Sequence, residues 1–454
     1  MKGGERPSDG YLRALGPKDA TLLVIGSIIG SGIFFTPAQI ARASDSPFVL
    51  IGVWILGGVI ALCGALTYAE LGGLFPRAGG VYVFLREAYG GLFGFLYGWA
   101  VILVIAPGAV AWVARRFATQ VSHSIVTLDP FAERALAAAT VVLLTALNIR
   151  GVRWGSLVQN VFTSGKLAAI AILIAAGFLF SGEPLPPENA AAAAGPAHGP
   201  VMGFLAAMVP VLFSYGGWQN GTYVAAEVKD PLRNVPRSMI AGTLVVVATY
   251  VLLNLAFARV LTPTAMAEND AFASRAAAAA LGDFGGAVVS AGILVSVFGI
   301  CAAMLLTNPR VAQAIGEDGL FFRSFGRLHP RFKTPALAIA VLGGWSAVLV
   351  FFTERIDDVL SSIVFADWLF FALVAYSLFV FRKRLPGAPR PYLCPLYPVV
   401  PLVFLVLASA MVVVTLATSP GWTSRFLGAG ILLAGVPVYA LFRARTRAEA
   451  GRAG

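Results

Sequence analysis

Residues 21–37 read TLLVIGSIIGSGIFFTP, and residues 209–227 read VPVLFSYGGWQNGTYVAAE. Both are apolar runs interrupted by small residues: Gly26, Gly30, Ser31 and Gly32 in the first, Ser214, Gly216, Gly217 and Gly221 in the second. Glycine inside a helix costs about 1 kcal/mol relative to alanine, so clusters of this kind at mid-depth predict unwound turns. Where the i to i−4 ladder stops, one half-helix begins with free N–H groups and the other ends with free C=O groups. Free amides suit a carboxylate, and free carbonyls suit an ammonium. A break with both in reach is therefore expected to hold an amino-acid zwitterion, largely through backbone. The competing reading is a close-packing seam of small residues, for which Gly26 and Gly30 have the GxxxG spacing.

The rest of the chain sets these runs in a membrane. Of its 454 residues 58% are hydrophobic and 12% charged, against about 45–50% and about 25% in soluble domains. A bilayer core about 30 Å thick takes about 20 apolar residues per helix. Twelve runs meet that measure: 20–42, 48–74, 91–119, 134–150, 157–181, 201–226, 238–260, 284–308, 335–353, 357–381, 397–418 and 423–443. The two interrupted runs are the first and the sixth, each opening a set of five. Interrupted segments at matching places in two halves point to discontinuous helices around a midplane binding site, usually in an inverted repeat.

Charge orients the chain, because cytoplasmic loops carry an excess of Lys and Arg. With the N-terminus inside, 24 of the 33 basic residues fall in inner segments and 8 in outer ones, with Lys166 inside a span. Both termini are expected in the cytoplasm, and the net charge of +11 reads as orientation rather than as a nucleic-acid-binding face. Arg115 and Arg116 fall late in the third run and are expected to snorkel outward. Residues 1–19 are polar and lack the apolar core of a signal peptide, so the first run is expected to be kept as a span. The stretch PLPPENAAAAAG at 184–195 reads as a solvated connector. The organisation expected is a cytoplasmic segment 1–19, a first five-helix repeat 20–181, an extracellular connector 182–200 and a second repeat 201–381. Two added helices with their preceding loop occupy 382–443, and a cytoplasmic tail 444–454.

At these residues the chain resembles the amino acid–polyamine–organocation superfamily. GSIIGSGIFFTP at 26–37 is similar to its first-helix signature. FSYGGWQN at 213–220 and AAEVKDPLRNVPRSM at 225–239 resemble the sixth helix and following loop of its L-type amino acid transporter branch. Blocks at 64–90, 162–169, 305–321, 329–335 and 390–401 are similar to further segments of that branch, in the same order.

The resemblance implies an all-α polytopic membrane protein of LeuT-type fold. Twelve transmembrane helices would form a 5+5 inverted repeat plus two, with helices 1 and 6 broken. It implies that the amides of Ser31 and Gly32, beside Gly30, hold the substrate carboxylate. The carbonyls of Ile28, Phe213 and Gly216 would then face the amine, with Ser214 in the same unwound turn and the Phe213 ring as an outer gate. Gln219 stands where animal members of the branch often have Asn. For Lys166 the resemblance implies a surrogate for a bound sodium ion, bridging the first and eighth helices; snorkelling to the inner interface is the alternative from the residues alone.

Asp367, in SSIVFADWLFFALV at 361–374, is the most deeply placed acid. Intramembrane acids are functional candidates by default, here as proton carrier or as partner for a cationic group. A structural hydrogen bond to Ser361 or Ser362 is the alternative. Glu70 and Glu227 end the second and sixth runs near Arg77, Lys229, Arg233 and Arg310, as inner-gate salt bridges or as solvated helix ends. Tyr215 and Trp218 either line the site or pack beside it. Ile300, Cys301 and Ala302 are expected to shape the side-chain pocket.

Other classes fare worse. No GxxxxGK[ST] loop for ATP is present, and SGKL at 164–167 lacks its first glycine and last hydroxyl. His123, His198 and His329 all fall in loops, which leaves a membrane enzyme without a catalytic constellation. No filter loop or charged ring suggests a channel. Cys63, Cys301 and Cys394 are far apart and suit neither a disulfide framework nor a metal site. No cofactor is expected.

The residues and the resemblance together predict a secondary transporter for neutral amino acids, sodium-independent, as exchanger or proton symporter in the cytoplasmic membrane. Cationic amino acids or polyamines are the second reading. Animal members of the branch join a heavy chain through a cysteine after the third span. The loop at 120–133 has none, so no disulfide-linked heavy chain is expected, and the chain is read as a monomer or homodimer.

Overall fold

The computed structural model describes residues 10–44, 46–188, 200–268, 271–352, 356–418 and 421–453. Residues 1–9 of the N-terminal segment, 189–199 of the connector, and Arg355 lie outside them. The described chain is helical almost throughout. In order it forms α1 (Pro17–Ile28), α2 (Gly32–Ala43), α3 (Pro47–Leu74), α4 (Val81–Tyr89), α5 (Gly91–Ala100) and α6 (Ala106–Ser124). Next come α7 (Pro130–Ile149), α8 (Val152–Leu179), α9 (Pro200–Ser214), the single turn α10 (Asn220–Tyr223) and α11 (Pro231–Val260). Then α12 (Pro263–Glu268), α13 (Phe272–Leu281), α14 (Asp283–Thr307), α15 (Pro309–Glu317), α16 (Ala336–Phe352), α17 (Ile356–Arg384), α18 (Val399–Thr418) and α19 (Gly421–Ala453) follow.

Among the described residues nine helical stretches are long and apolar enough to cross a membrane. Shorter apolar helices at Gly203–Ser214, Ala336–Phe352 and Gly428–Ala444 coincide with the sixth, ninth and twelfth predicted runs, and Phe272–Leu281 lies outside the predicted runs. The chain is thus a multi-pass membrane protein. The sixth run falls short because its helix stops at Ser214, where the glycine cluster begins. The fourth run, expected at 134–150, starts earlier, since Asp129 caps α7 by accepting from the amides of Phe131 and Ala132 at 2.9 Å. Such a cap stabilises a helix by about 1 kcal/mol.

Helix lengths recur in the two sets of five. The second members, α3 and α11, have 28 and 30 residues. The third stretches, Gly91–Ser124 and Asp283–Glu317, have 34 and 35 residues. The fifth members, α8 and α17, have 28 and 29 residues. The third stretch is not uniform, because Val101–Ile105 between α5 and α6 is π-helical. The first broken helix sits at the centre, where α1 packs against α8, α11 and α14. Lipid would meet the other faces, where side chains such as Ile55, Val59, Leu143 and Val161 are exposed.

Candidate functional site

The two breaks form where the glycine clusters predict them. α1 ends at Ile28 and α2 begins at Gly32, so three residues carry the first break. α9 ends at Ser214, and Tyr215–Gln219 form turns before α10. Gly217 is needed at the second break, because its φ is +117° and a Cβ there would strike the Ser27 carbonyl in the last turn of α1. The second break therefore packs directly against the backbone at the end of α1. Gly26 has a different role: a Cβ would run into Gln159 and Thr163 of α8, so close packing explains it.

Both breaks open onto one cavity of about 180 Å³. Ile28, Gly30, Ser31 and Gly32 line it from the first break, and Phe213, Ser214, Gly216 and Gln219 from the second. Asp367 of α17 lies in the same wall. Several of these groups already have partners within the protein. The Phe213 carbonyl accepts from the Gly216 amide at 3.1 Å. The Gln219 carboxamide oxygen accepts from the Gly217 amide at 3.0 Å, so this side chain folds back on its own turn. The Ser214 hydroxyl lies 2.9 Å from that of Thr36, joining α9 to α2. Its hydroxyl also donates to the Pro210 carbonyl at 2.8 Å.

Tyr250 of α11, which the sequence reading did not single out, spans the breaks. Its hydroxyl lies 3.2 Å from the carbonyl oxygens of both Ile28 and Ser214, the last residues of α1 and α9. Tyr223, Asn220 and Asn308 line the same cavity as Asp367 and were also missed. The glycine turn before Asn220 and Tyr223 hides these two from any helical periodicity, whereas Asn308 directly follows α14. Ser27 is a further wall residue, buried, with a hydroxyl that has no hydrogen-bond partner among the described residues.

Lys166 is completely buried and does not snorkel. Its ammonium donates to the carbonyls of Ile29 at 2.6 Å, Gly26 at 3.2 Å and Ser296 at 3.4 Å. It thereby joins α8 to the broken end of α1 and to α14. Hydrogen bonds to a charged group contribute roughly 1.5–3 kcal/mol each, which offsets much of the cost of its burial. The Ser296 hydroxyl adds a bond to the Ile29 carbonyl at 3.3 Å.

Three expectations change. Tyr215 and Trp218 do not line the cavity: Tyr215 packs edge-on to Trp54 and donates to its carbonyl at 3.0 Å, and Trp218 lies against Tyr68. Of the expected pocket trio only Ile300 reaches the wall, while Cys301 and Ala302 are buried away from it. Glu70 and Glu227 are not solvated helix ends but buried ion pairs. Glu227 takes Arg310 in a fork, with its carboxylate oxygens 3.0 and 3.3 Å from Nη2 and Nε. Glu70 takes Arg382 rather than Arg77, at 2.7 and 2.9 Å, with Arg390 3.2 Å away and the Cys394 amide at 2.8 Å. Distance in sequence hid Arg382 and Arg390, which return to α3 only through α17 and the loop after it. The alternative partners of Asp367, Ser361 and Ser362, have side chains outside the described set.

Comparison with known proteins follows this geometry. The profile of the amino acid permease family matches residues 15–437. The chain is 33% identical to the serine/threonine exchanger SteT of Bacillus subtilis, over 95% of this chain and 97% of that one. It is 32% identical to the mouse Asc-type amino acid transporter 1, over 94% and 81%. It is also 32% identical to the human large neutral amino acids transporter small subunit 2, over 94% and 80%.

Proposed function

The chain belongs to the amino acid permease family, and on that premise we propose that it exchanges neutral L-amino acids across the cytoplasmic membrane by alternating access. The observation that carries this reading is the meeting of two broken helices at one cavity. The first amides of α2 at Ser31 and Gly32 would take the carboxylate. Carbonyls at the ends of α1 and α9 would take the ammonium, with the Phe213 ring closing the outer side. A pocket of backbone groups recognises what every α-amino acid shares, and its apolar wall at Ile300, Leu212 and Phe371 suits uncharged side chains. Exchange is favoured over proton symport by the relative whose name says exchanger.

Sodium independence follows from Lys166, whose ammonium would occupy the place of a cation among carbonyls. We read residues 20–181 and 201–381 as inverted five-helix repeats, with two helices added and both termini in the cytoplasm. The recurring helix lengths support that reading. The 120–133 loop has no cysteine, which supports a chain that works without a disulfide-linked partner. Cationic substrates are the second reading, favoured by Asp367 in the cavity wall.

Counterflow tests the proposal. Proteoliposomes loaded with millimolar L-serine should accumulate labelled serine above equilibrium, and neutral amino acids should compete. Accumulation equal to that of empty liposomes would refute it.

A further inference from the structure

We infer that each closure of the cavity requires one positive charge opposite Asp367: a proton on the carboxylate for a neutral amino acid, the side-chain cation for a diamino acid. This rests on the transport proposed above and adds to it a rule for what must travel together.

Among the described residues nothing gives Asp367 a hydrogen bond or an opposite charge. The ionisable groups facing it are Tyr223 from α10, Tyr97 from α5 and Tyr68 from α3. These phenols are neutral near pH 7, and the Tyr97 and Tyr223 hydroxyls bond to each other. α6 and α14 bring only uncharged residues to the cavity, among them Ala109, Met304 and Asn308.

The cations on neighbouring elements are engaged elsewhere. Lys166 holds its three carbonyls, Arg382 holds Glu70, Arg384 donates to the Ala88 carbonyl, and Arg86 of α4 pairs with Glu87 and Asp318, while Arg116 of α6 lies over the Trp112 ring and its neighbour Arg115 also has a partner. α18 carries no charged residue, and Arg443 of α19 lies over Tyr439. Asn220, Asn308 and Tyr223 share the wall as neutral dipoles, which orient a ligand but cannot cancel a charge.

An open cavity lets water solvate the carboxylate, whereas a closed one strips that water away. Burying an unpaired ion costs several kcal/mol, enough to hold the cavity open. With a neutral substrate, a hydronium on the open side gives its proton to an Asp367 carboxylate oxygen. That O–H bond breaks, and the proton returns to water, when the cavity opens on the other side. With a diamino acid the carboxylate stays ionised and faces the side-chain ammonium. Exchange of two neutral amino acids then moves no net proton. Exchange of an entering neutral one for a leaving diamino acid moves one proton inward and no net charge.

The experiment uses wild-type proteoliposomes loaded with L-ornithine and a pH-sensitive dye, with labelled L-serine outside. The expected result is acidification of the lumen at one proton per serine, at a rate insensitive to an imposed membrane potential. Serine-loaded vesicles should show no pH change. In Asp367→Asn the ratio should fall to zero in whatever exchange survives, and ornithine should compete roughly tenfold less well against serine. Asp367→Glu should keep the ratio. Serine–ornithine exchange that moves charge but no proton would overturn the inference. So would an unchanged ratio in Asp367→Asn, or a wild type that exchanges serine yet excludes ornithine. Absence of any amino-acid exchange in the wild type would overturn the transport reading, and this inference with it.

Discussion

The Lys166 ammonium donates to the carbonyl of Ile29, 2.6 Å away, so a charge on α8 terminates a helix that begins 149 residues earlier in the chain, at Pro17. A lone ammonium would leave such a depth, but here the unwound turn supplies carbonyls that no helix needs. Lys166→Ala should abolish serine exchange while the protein still inserts and purifies as a monodisperse species. Wild-type uptake by the purified variant would refute the role given to Lys166.

Tyr250 offers one proton to two carbonyls, those of Ile28 and Ser214. Tyr250→Phe removes that proton and little volume. Stability should fall by only about 1 kcal/mol, whereas exchange should fall about tenfold or more as the two half-helix ends lose their common donor. Paired thermal unfolding and counterflow measurements would check the contrast.

Gly217→Ala should be more damaging than Gly216→Ala. The first places a methyl against the Ser27 carbonyl with φ at +117°, whereas the second meets only the Phe213 carbonyl at 3.2 Å. Loss of transport is expected for Gly217→Ala at near-normal expression, and comparable uptake by the two variants would count against the contact between the second break and the end of α1.

Arg310→Ala strands the buried Glu227 carboxylate. Removing one partner of a buried pair costs roughly 3–5 kcal/mol, so a large fall in unfolding temperature is expected. Glu227→Gln combined with Arg310→Met should recover part of it. Equal destabilisation in the single and double variants would refute coupling between the two.

Burial pushes the Cys394 thiol up to about 12, with the Glu70 carboxylate adding to the effect. Because the folded protein holds this proton more tightly than the unfolded chain, the thiol contributes stability that is present below the ordinary thiol range and lost as pH rises toward about 12. Iodoacetamide at pH 7.5 should label Cys394 only after denaturation. Rapid labelling of the folded protein, read by peptide mass, would contradict this.

Much of the candidate site was legible in the sequence because the groups it offers are largely backbone. Glycine clusters declare an unwound turn, and the turn itself exposes amides and carbonyls, so the breaks within 28–32 and 213–219 could be located in advance, while the roles proposed for single residues there come from the family resemblance. Residues that reach the breaks or the cavity from other helices left no such mark. Tyr250 and Asn308 sit in ordinary apolar stretches, and only packing turns them inward. The ion partners of Glu70 were hidden for a similar reason, since contact across 312 residues from Arg382 leaves no local pattern. The sixth run shows the opposite limit: its composition reads as a full span, but the break shortens the regular helix to Ser214.

The hydrogen bond between Thr36 and Ser214 fastens α2 to α9, while Lys166 fastens α1 to α8 and α14. The two halves of the first broken helix are thus anchored to different neighbours, while Tyr250 ties the ends of α1 and α9 to each other. On the proposed reading, an amino acid lying across the break rests its two charges on separate anchorages, so its release calls for the loosening of two holds rather than one.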